Sequence, residues 1–213
     1  MMVHQFSDPG CRPRDLLNLA GFLPRSEVNG PGSRAVVWVQ GCPIRCSGCF
    51  NESFWSFSPA NIVTVDELAS LITAIPDIAG VTFSGGEPFS QAGALAILGD
   101  RVKETGLSIV TYTGYTPGQL ARAKIPAWDH LLRITDLLIA GPYIDSLACT
   151  DTYRGSSNQQ VIPLSGRILS ETGKTEEPGN CVEFTIGTDG SIITSGFPEQ
   201  LLMEQIANRC RGT

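Results

Sequence analysis

AVVWVQGCPIRCSGC, residues 35–49, joins a strand to a cluster of thiols. The run AVVWV is β-branched and aromatic and too short for a helix, so it reads as a buried strand that ends at Gln40 and Gly41. Cys42, Cys46 and Cys49 follow directly, at spacings of four and three residues, on a loop opened by Pro43 and loosened by Gly48. Three thiolates so spaced can wrap one face of a cubane iron–sulfur cluster and leave the fourth iron without a cysteine. Clusters that only pass electrons ordinarily have four cysteine ligands, so an open iron is a catalytic feature.

Downstream, the pattern alternates. Thr64 with Glu67 three residues on forms a capping box, and Leu68, Leu71, Ile72 and Ile75 recur at helical spacing until Pro76. GVTFSGG, residues 80–86, is a second strand breaking at Gly85; QAGALAILGDRVKETG is a helix ending near Gly106; LSIVTYTG is a third strand. A weaker helix from Pro117 to His130 is interrupted by Pro126, and TDLLIAGPY supplies a fourth strand ended by Gly141 and Pro142. A regular βα repeat implies an α/β fold on a parallel sheet.

Outside this region the signals change. Residues 1–33 are rich in Pro, Gly and Arg and read as an N-terminal extension, with one apolar stretch, Leu16 to Leu23, able to lie on the body. Residues 34–160 carry the core, and 161–213 form an accessory segment: VEFTIGTDGSIITSGF alternates on both sides of Asp189 and Gly190, a β-hairpin, before a short helix from Pro198. No internal repeat or low-complexity tract is present.

At 213 residues and 42% hydrophobic, the chain can bury one ordinary core. Its net charge of -6 disfavours a nucleic-acid partner. No apolar run approaches the ~20 residues that cross a bilayer, and the N-terminus lacks the apolar centre of a signal peptide, so a cytoplasmic protein with no membrane partner is expected. Of seven cysteines, Cys11, Cys149, Cys181 and Cys210 are scattered and read as small buried hydrophobes rather than a disulfide framework.

Zinc is the other metal for such a triplet. A structural site needs a fourth Cys or His, yet only His4 and His130 exist, and neither is spaced as in a finger. A deaminase zinc site needs an H-x-E element, and neither histidine has the glutamate. Further along, Gly85 and Gly86 let the backbone approach a ligand closely, and Glu87 is an anion placed to meet a cation. Phe50, beside Cys49, is an adenine-stacking ring or a packing lid. Tyr112 and Thr113 end a strand at the rim where such sheets build their sites. Arg154, Ser156 and Asn158 lie in a donor-rich loop that suits a carboxylate or is simply surface.

CPIRCSGC with GVTFSGGEP some 35 residues on resembles the paired motifs of the radical S-adenosylmethionine superfamily. VQGCPIRCSGC, SGGEPFSQ, YTGYT and RGSSNQ together are similar to the small activating proteins of anaerobic ribonucleotide reductase, a glycyl-radical activase family. The resemblance covers residues 34–160. Phe50 stands where relatives often have histidine, Ala140 replaces an aspartate before Gly-Pro, and both ends look additional.

That resemblance implies an incomplete (β/α) barrel of the radical S-adenosylmethionine type with the hairpin and short helix appended. It implies one [4Fe–4S] cluster on Cys42, Cys46 and Cys49, with S-adenosylmethionine bound by Gly85, Gly86 and Glu87 and attended by Phe50, Tyr112, Thr113, Arg154, Ser156 and Asn158. No catalytic residue beyond these ligands is expected. An electron from flavodoxin or ferredoxin would cleave the cofactor to a 5′-deoxyadenosyl radical, which takes a hydrogen atom from a glycine of a glycyl-radical enzyme partner. The alternatives are a radical enzyme acting on a small molecule or modified peptide, and a non-enzymatic binding module stabilised by zinc or a cluster.

Overall fold

The computed structural model describes residues 15–168, 181–187, 189–197 and 205. Its strands are β1 (Leu16–Ser26), β2 (Arg34–Val39), β3 (Asn61–Thr64), β4 (Gly80–Gly85), β5 (Ser108–Thr113), β6 (Leu137–Ala140), β7 (Gln160–Pro163), β8 (Val182–Ile186) and β9 (Ile192–Gly196). Its α-helices are α1 (Val65–Thr73), α2 (Ala92–Glu104), α3 (Pro117–Ala123) and α4 (Pro126–Ile134).

Seven strands form one sheet in the order β3-β1-β2-β4-β5-β6-β7, and β8 pairs with β9 in a separate hairpin. The inner four, β2, β4, β5 and β6, are parallel, as the βα repeat requires. The flanks are not: β1 pairs antiparallel with β2 and β3, and β7 antiparallel with β6. The sheet is therefore mixed, parallel at its centre as expected and antiparallel at both flanks. Residues 16–26, within the stretch read as an extension, are a full sheet strand, and Gln160–Pro163 is the opposite edge.

Periodicity places the core. Every residue of β2 is buried, as expected of a central strand covered on both faces. Ala35, Val37 and Val39 join Val81, Phe83, Leu138 and Leu95 beneath the helices, whereas Val36 and Trp38 join Leu23 on the other face. Leu17 and Leu19 share the helix side with β2, but Leu23 lies on the far side. The register shifts between Leu19 and Gly21 and between Leu23 and Ser26 account for that change of face.

Thr64 caps α1 through the expected reciprocal box with Glu67. The stretch 117–134 is two helices instead of one interrupted helix. Lys124 is left-handed at φ 49 and Pro126 opens α4, so the proline starts a new helix where it would have kinked the old one. The helix expected from Pro198 lies outside the described residues, Gln205 excepted.

The far ends of β5 to β7 are tied by Asp136. Its carboxylate accepts from Ile109 N at 2.8 Å, Lys103 Nζ at 3.0 Å and Ser165 Oγ at 2.6 Å. Burial alone would raise this carboxyl, but the donors outweigh it and hold it below the ordinary range.

Candidate active site

The four parallel strands all point their carboxyl ends the same way, so the loops after Val39, Gly85, Thr113 and Ala140 meet at one rim, where open α/β sheets assemble their sites. Two backbone bonds join the first pair of loops. Gly86 N donates to Val39 O at 2.7 Å, and Glu87 N donates to Gly41 O at 2.9 Å. The cysteine loop is held on its other side by Gly41 N to Phe54 O and Cys42 N to Trp55 O.

Both glycines of the second motif have steric work to do. Gly85 has φ +102, and a Cβ on Gly86 would lie 2.4 Å from Gly41 O. Within the cysteine loop, Arg45 (φ 53) and Gly48 (φ 74) are left-handed, which turns the chain tightly enough to aim amides at sulfur. The N–H groups of Arg45 and Ile44 face the Cys42 thiol, that of Tyr143 faces Cys46, and Asn51 N donates to Cys49 Sγ at 3.4 Å. Burial pushes the Cys42 and Cys46 thiols up, and these amides offset part of it.

Cys42, Cys46, Cys49, Gly85, Gly86, Glu87, Tyr112 and Thr113 line one cleft of ≈ 110 Å³, so the structure brings together most of the residues singled out from the sequence. It also adds Ile44, Trp55, Ser84, Gly114, Tyr143 and Gln159. Of these, Ile44, Ser84, Gly114 and Gln159 lie within motifs noted in sequence, whereas Trp55 and Tyr143 do not. These two come from loops whose arrival at the rim is decided by the sheet.

Glu87 is 1% exposed. Its Oε1 accepts from Phe89 N and Thr113 Oγ1, both at 2.9 Å, and its Oε2 accepts from Gly114 N at 2.8 Å. A carboxylate has about four acceptor positions, so one on Oε2 remains. Burial pushes the carboxyl up to about 7 against the pull of these donors.

Three residues lie elsewhere. The Arg154 guanidinium pairs with Asp151 and donates to Ser157 O and Gln159 O; Ser156 Oγ accepts from Ile144 N; Asn158 Nδ2 donates to Pro142 O. All three brace the 141–159 loop. Phe50 is 43% exposed and packs on Tyr143 at 5.3 Å and Phe197 at 6.0 Å, outside the cleft lining. Cys149 and Cys181 are not among the lining residues, and Cys11 and Cys210 lie outside the described residues.

The lining suits an iron–sulfur cluster and a cationic cofactor. Three thiols and a carboxyl face the cleft, and among its described lining residues there is no Lys, Arg or His. Trp55 Nε1 is buried there with no hydrogen-bond partner among the described residues. Among the same residues no three His, Cys, Asp or Glu side chains gather closely enough to grip one metal ion. Zinc needs its sulfurs about 2.3 Å from a common centre, whereas a cubane offers each thiolate its own iron.

The model of the 4Fe-4S single cluster domain matches residues 28–162. An anaerobic ribonucleoside-triphosphate reductase-activating protein of Vibrio cholerae is 33% identical over 154 residues, 68% of this chain and 97% of that protein. The chain belongs to the radical S-adenosylmethionine activase family. Another such reductase-activating protein, from Escherichia coli K12, is 30% identical over the same shares. A pyruvate formate-lyase-activating enzyme of Staphylococcus aureus is 35% identical over 118 residues, 53% of this chain and 47% of that enzyme. The solved structure of QueE from Escherichia coli aligns at TM-score 0.34 and 20% identity, over 47% of this chain and 53% of that one, too distant to speak for the fold. Membership makes this radical S-adenosylmethionine activase an enzyme and sets aside the binding-module alternative.

Proposed function

We propose that the enzyme cleaves S-adenosylmethionine reductively at a [4Fe–4S] cluster held by Cys42, Cys46 and Cys49, and uses the product to install a glycyl radical on a partner enzyme. The observation that carries this is the pair of backbone bonds from Gly86 and Glu87 to Val39 and Gly41, which sets a three-thiol loop and a buried carboxyl on one cleft with no cation among its described lining residues. The names of the relatives, activating proteins for a ribonucleotide reductase and for pyruvate formate-lyase, favour a partner of that type.

Bound together, the cluster and cofactor supply the chemistry: one electron splits the sulfonium into methionine and a 5′-deoxyadenosyl radical. The chain's residues hold and shield. The free position on Glu87 Oε2 takes the cofactor's ammonium as a charge-assisted bond. Gly85 and Gly86 keep side chains out of its way, Trp55 Nε1 offers a donor to the bound groups, and Thr113 fixes the carboxyl. Tyr143 and Tyr112 form an aromatic wall that excludes water from a reactive site. Arg154, Ser156 and Asn158 act by shaping the loop that brings Gln159 to the cleft.

In this reading residues 34–160 are the catalytic core, an incomplete (β/α) barrel whose open face admits a protein loop, and β1 extends its edge. Flavodoxin or ferredoxin is the electron donor and the cytoplasm its setting. The test is anaerobic reconstitution with dithionite, S-adenosylmethionine and the candidate glycyl-radical enzyme encoded nearest the gene. A glycine-centred doublet in the electron paramagnetic resonance spectrum supports the proposal, and cofactor cleavage without any partner radical opposes it.

A further inference from the structure

Residues 54–56 are laced along the start of the cysteine loop. Gly41 N donates to Phe54 O at 2.8 Å, Cys42 N to Trp55 O at 3.2 Å, and the Gln40 side-chain amide to Ser56 O at 2.8 Å. A 3₁₀ turn, Glu52–Phe54, delivers this segment and is closed by Phe54 N to Asn51 O and Trp55 N to Glu52 O. The Phe57 ring that follows lies so near Gly41 that a Cβ there would come within 2.6 Å of it. Three consecutive carbonyls thus hold Trp55 in a fixed relation to Cys42, and the Trp55 side chain lines the cysteine cleft.

The indole N–H has no acceptor in the empty cleft. Trp55 Nε1 is buried with no hydrogen-bond partner among the described residues, so none of the three thiols takes it. Those sulfurs are served by backbone: the N–H groups of Arg45 and Ile44 face Cys42, that of Tyr143 faces Cys46, and that of Asn51 bonds Cys49. A buried donor without a partner is costly, and here the fold clasps the residue that carries it through three successive bonds. Its acceptor arrives with whatever fills the cleft.

Two anionic acceptors would arrive, a sulfide of the cluster and the carboxylate of the cofactor. The tether favours the sulfide. Trp55 is fastened to the thiol loop itself, whereas Glu87, the group placed for the amino-acid end of the cofactor, is held by Phe89, Thr113 and Gly114 from other parts of the rim. The lining also explains why a neutral donor serves. Hydrogen bonds to the sulfurs and nearby charge both set the potential of such a cluster, and among the described lining residues there is no Lys, Arg or His. An uncharged N–H can favour the reduced, more negative cluster without repelling a cationic cofactor from the same cleft.

Resting on the function proposed above, we propose that Trp55 Nε1 donates a hydrogen bond to an inorganic sulfide of the bound cluster and so raises its reduction potential. The bond strengthens when the cluster gains its electron, because the acceptor then carries more negative charge.

The experiment uses the full chain, reconstituted anaerobically with iron and sulfide and titrated with dithionite in the presence of redox mediators, without S-adenosylmethionine. Trp55→Phe keeps a ring and removes the N–H. At iron and sulfide contents equal to the parent, it is expected to lower the ratio of reduced to oxidised cluster at a fixed potential about tenfold, which for one electron is about 59 mV. Trp128→Phe is expected to leave that ratio unchanged, since Trp128 packs on Phe89 and Tyr115 and is not among the cleft's lining residues. A second measurement needs no variant. In the parent protein carrying tryptophan labelled with ¹⁵N in the indole, pulsed electron paramagnetic resonance of the reduced cluster is expected to show a ¹⁵N coupling and a proton coupling that disappears in heavy water. Of the three tryptophans, Trp55 is the one among the described lining residues, and a ring with a purely structural role would give neither signal. Absence of the ¹⁵N coupling in the parent overturns the assignment whether or not the variant accepts a cluster, and so does an unchanged ratio in fully loaded Trp55→Phe. Weaker S-adenosylmethionine binding by that variant at an unchanged potential also overturns it, moving the N–H to the cofactor's carboxylate. A parent chain that assembles no [4Fe–4S] cluster would instead defeat the function on which the proposal rests.

Discussion

Gly86 lies against Gly41 with no room for a side chain: a Cβ added to it would sit 2.4 Å from the Gly41 carbonyl oxygen, the same oxygen that accepts the Glu87 N–H at 2.9 Å. Gly86→Ala must therefore push the cysteine loop away from the rest of the cleft. Iron content after reconstitution and cofactor cleavage should both fall, cleavage by at least about tenfold, since a displacement of ~1 Å at a reacting site can cost about a hundredfold. Gly93→Ala, on α2 with nothing within 4 Å of the added atom, should instead raise stability by about 0.5 kcal/mol, visible as a higher melting temperature.

Replacing Cys42, Cys46 or Cys49 by alanine should each abolish cluster assembly, read from iron, sulfide and the absorbance of the reconstituted protein. Cys181→Ser should leave all three unchanged, because Cys181 is exposed at the foot of β8 and outside the cleft lining. Stoichiometric zinc without sulfide in the unaltered protein would sink the cluster assignment.

Glu87 makes cofactor binding pH-dependent in a stated direction. Its carboxyl is raised from 4.5 to about 7 in the folded chain, so the unliganded fold favours the protonated form. The stability this contributes is complete below about pH 4.5 and is lost as pH rises through about 7. A cationic ligand needs the ionised form and stays protonated itself across this window. Affinity for S-adenosylmethionine should weaken as pH falls below about 7, by up to tenfold per unit. Calorimetry from pH 6 to 8 checks this, and Glu87→Gln should flatten the profile as well as lower the affinity by roughly ten- to a hundredfold.

Asp136 offers a stability test away from the chemistry. Asp136→Ala leaves the Ile109 amide and Lys103 without their buried carboxylate, and should cost about 2–4 kcal/mol in chemical denaturation. Because this carboxyl is held below its ordinary value of 3.8, its contribution is present above that pH and disappears as the solution is acidified past it. The variant should therefore differ least from the parent in acid.

The capping box at Thr64, the four inner strands and the junction of strand with cysteine loop were legible because each rests on short-range rules of spacing, propensity and capping. The Asp189–Gly190 hairpin belongs with them, since β8 and β9 pair around it with Phe184 opposite Thr194. The three cysteines and the Gly-Gly-Glu-Pro motif were likewise visible as residues, each on a loop after an expected strand.

What pairs with β1 was not. LLNLAGFL carries no sign that it must lie beside β2, since an apolar stretch of that length fits a sheet edge or a surface equally well. Its partner is chosen by the side of the sheet left uncovered once β2 and β4 are parallel. Arg154, Ser156 and Asn158 show the same boundary: their donors suited a ligand by composition, but the fold spends them on Asp151, Ile144 and Pro142 because the loop's own buried backbone needs partners first. By itself, then, the sequence determined which residues can do the chemistry and the local elements that carry them. Only the tertiary structure decided which of them face one another, because Glu87 meets Gly114 and Gly41, and Phe197 meets Tyr112, through contacts between distant segments that no local period encodes.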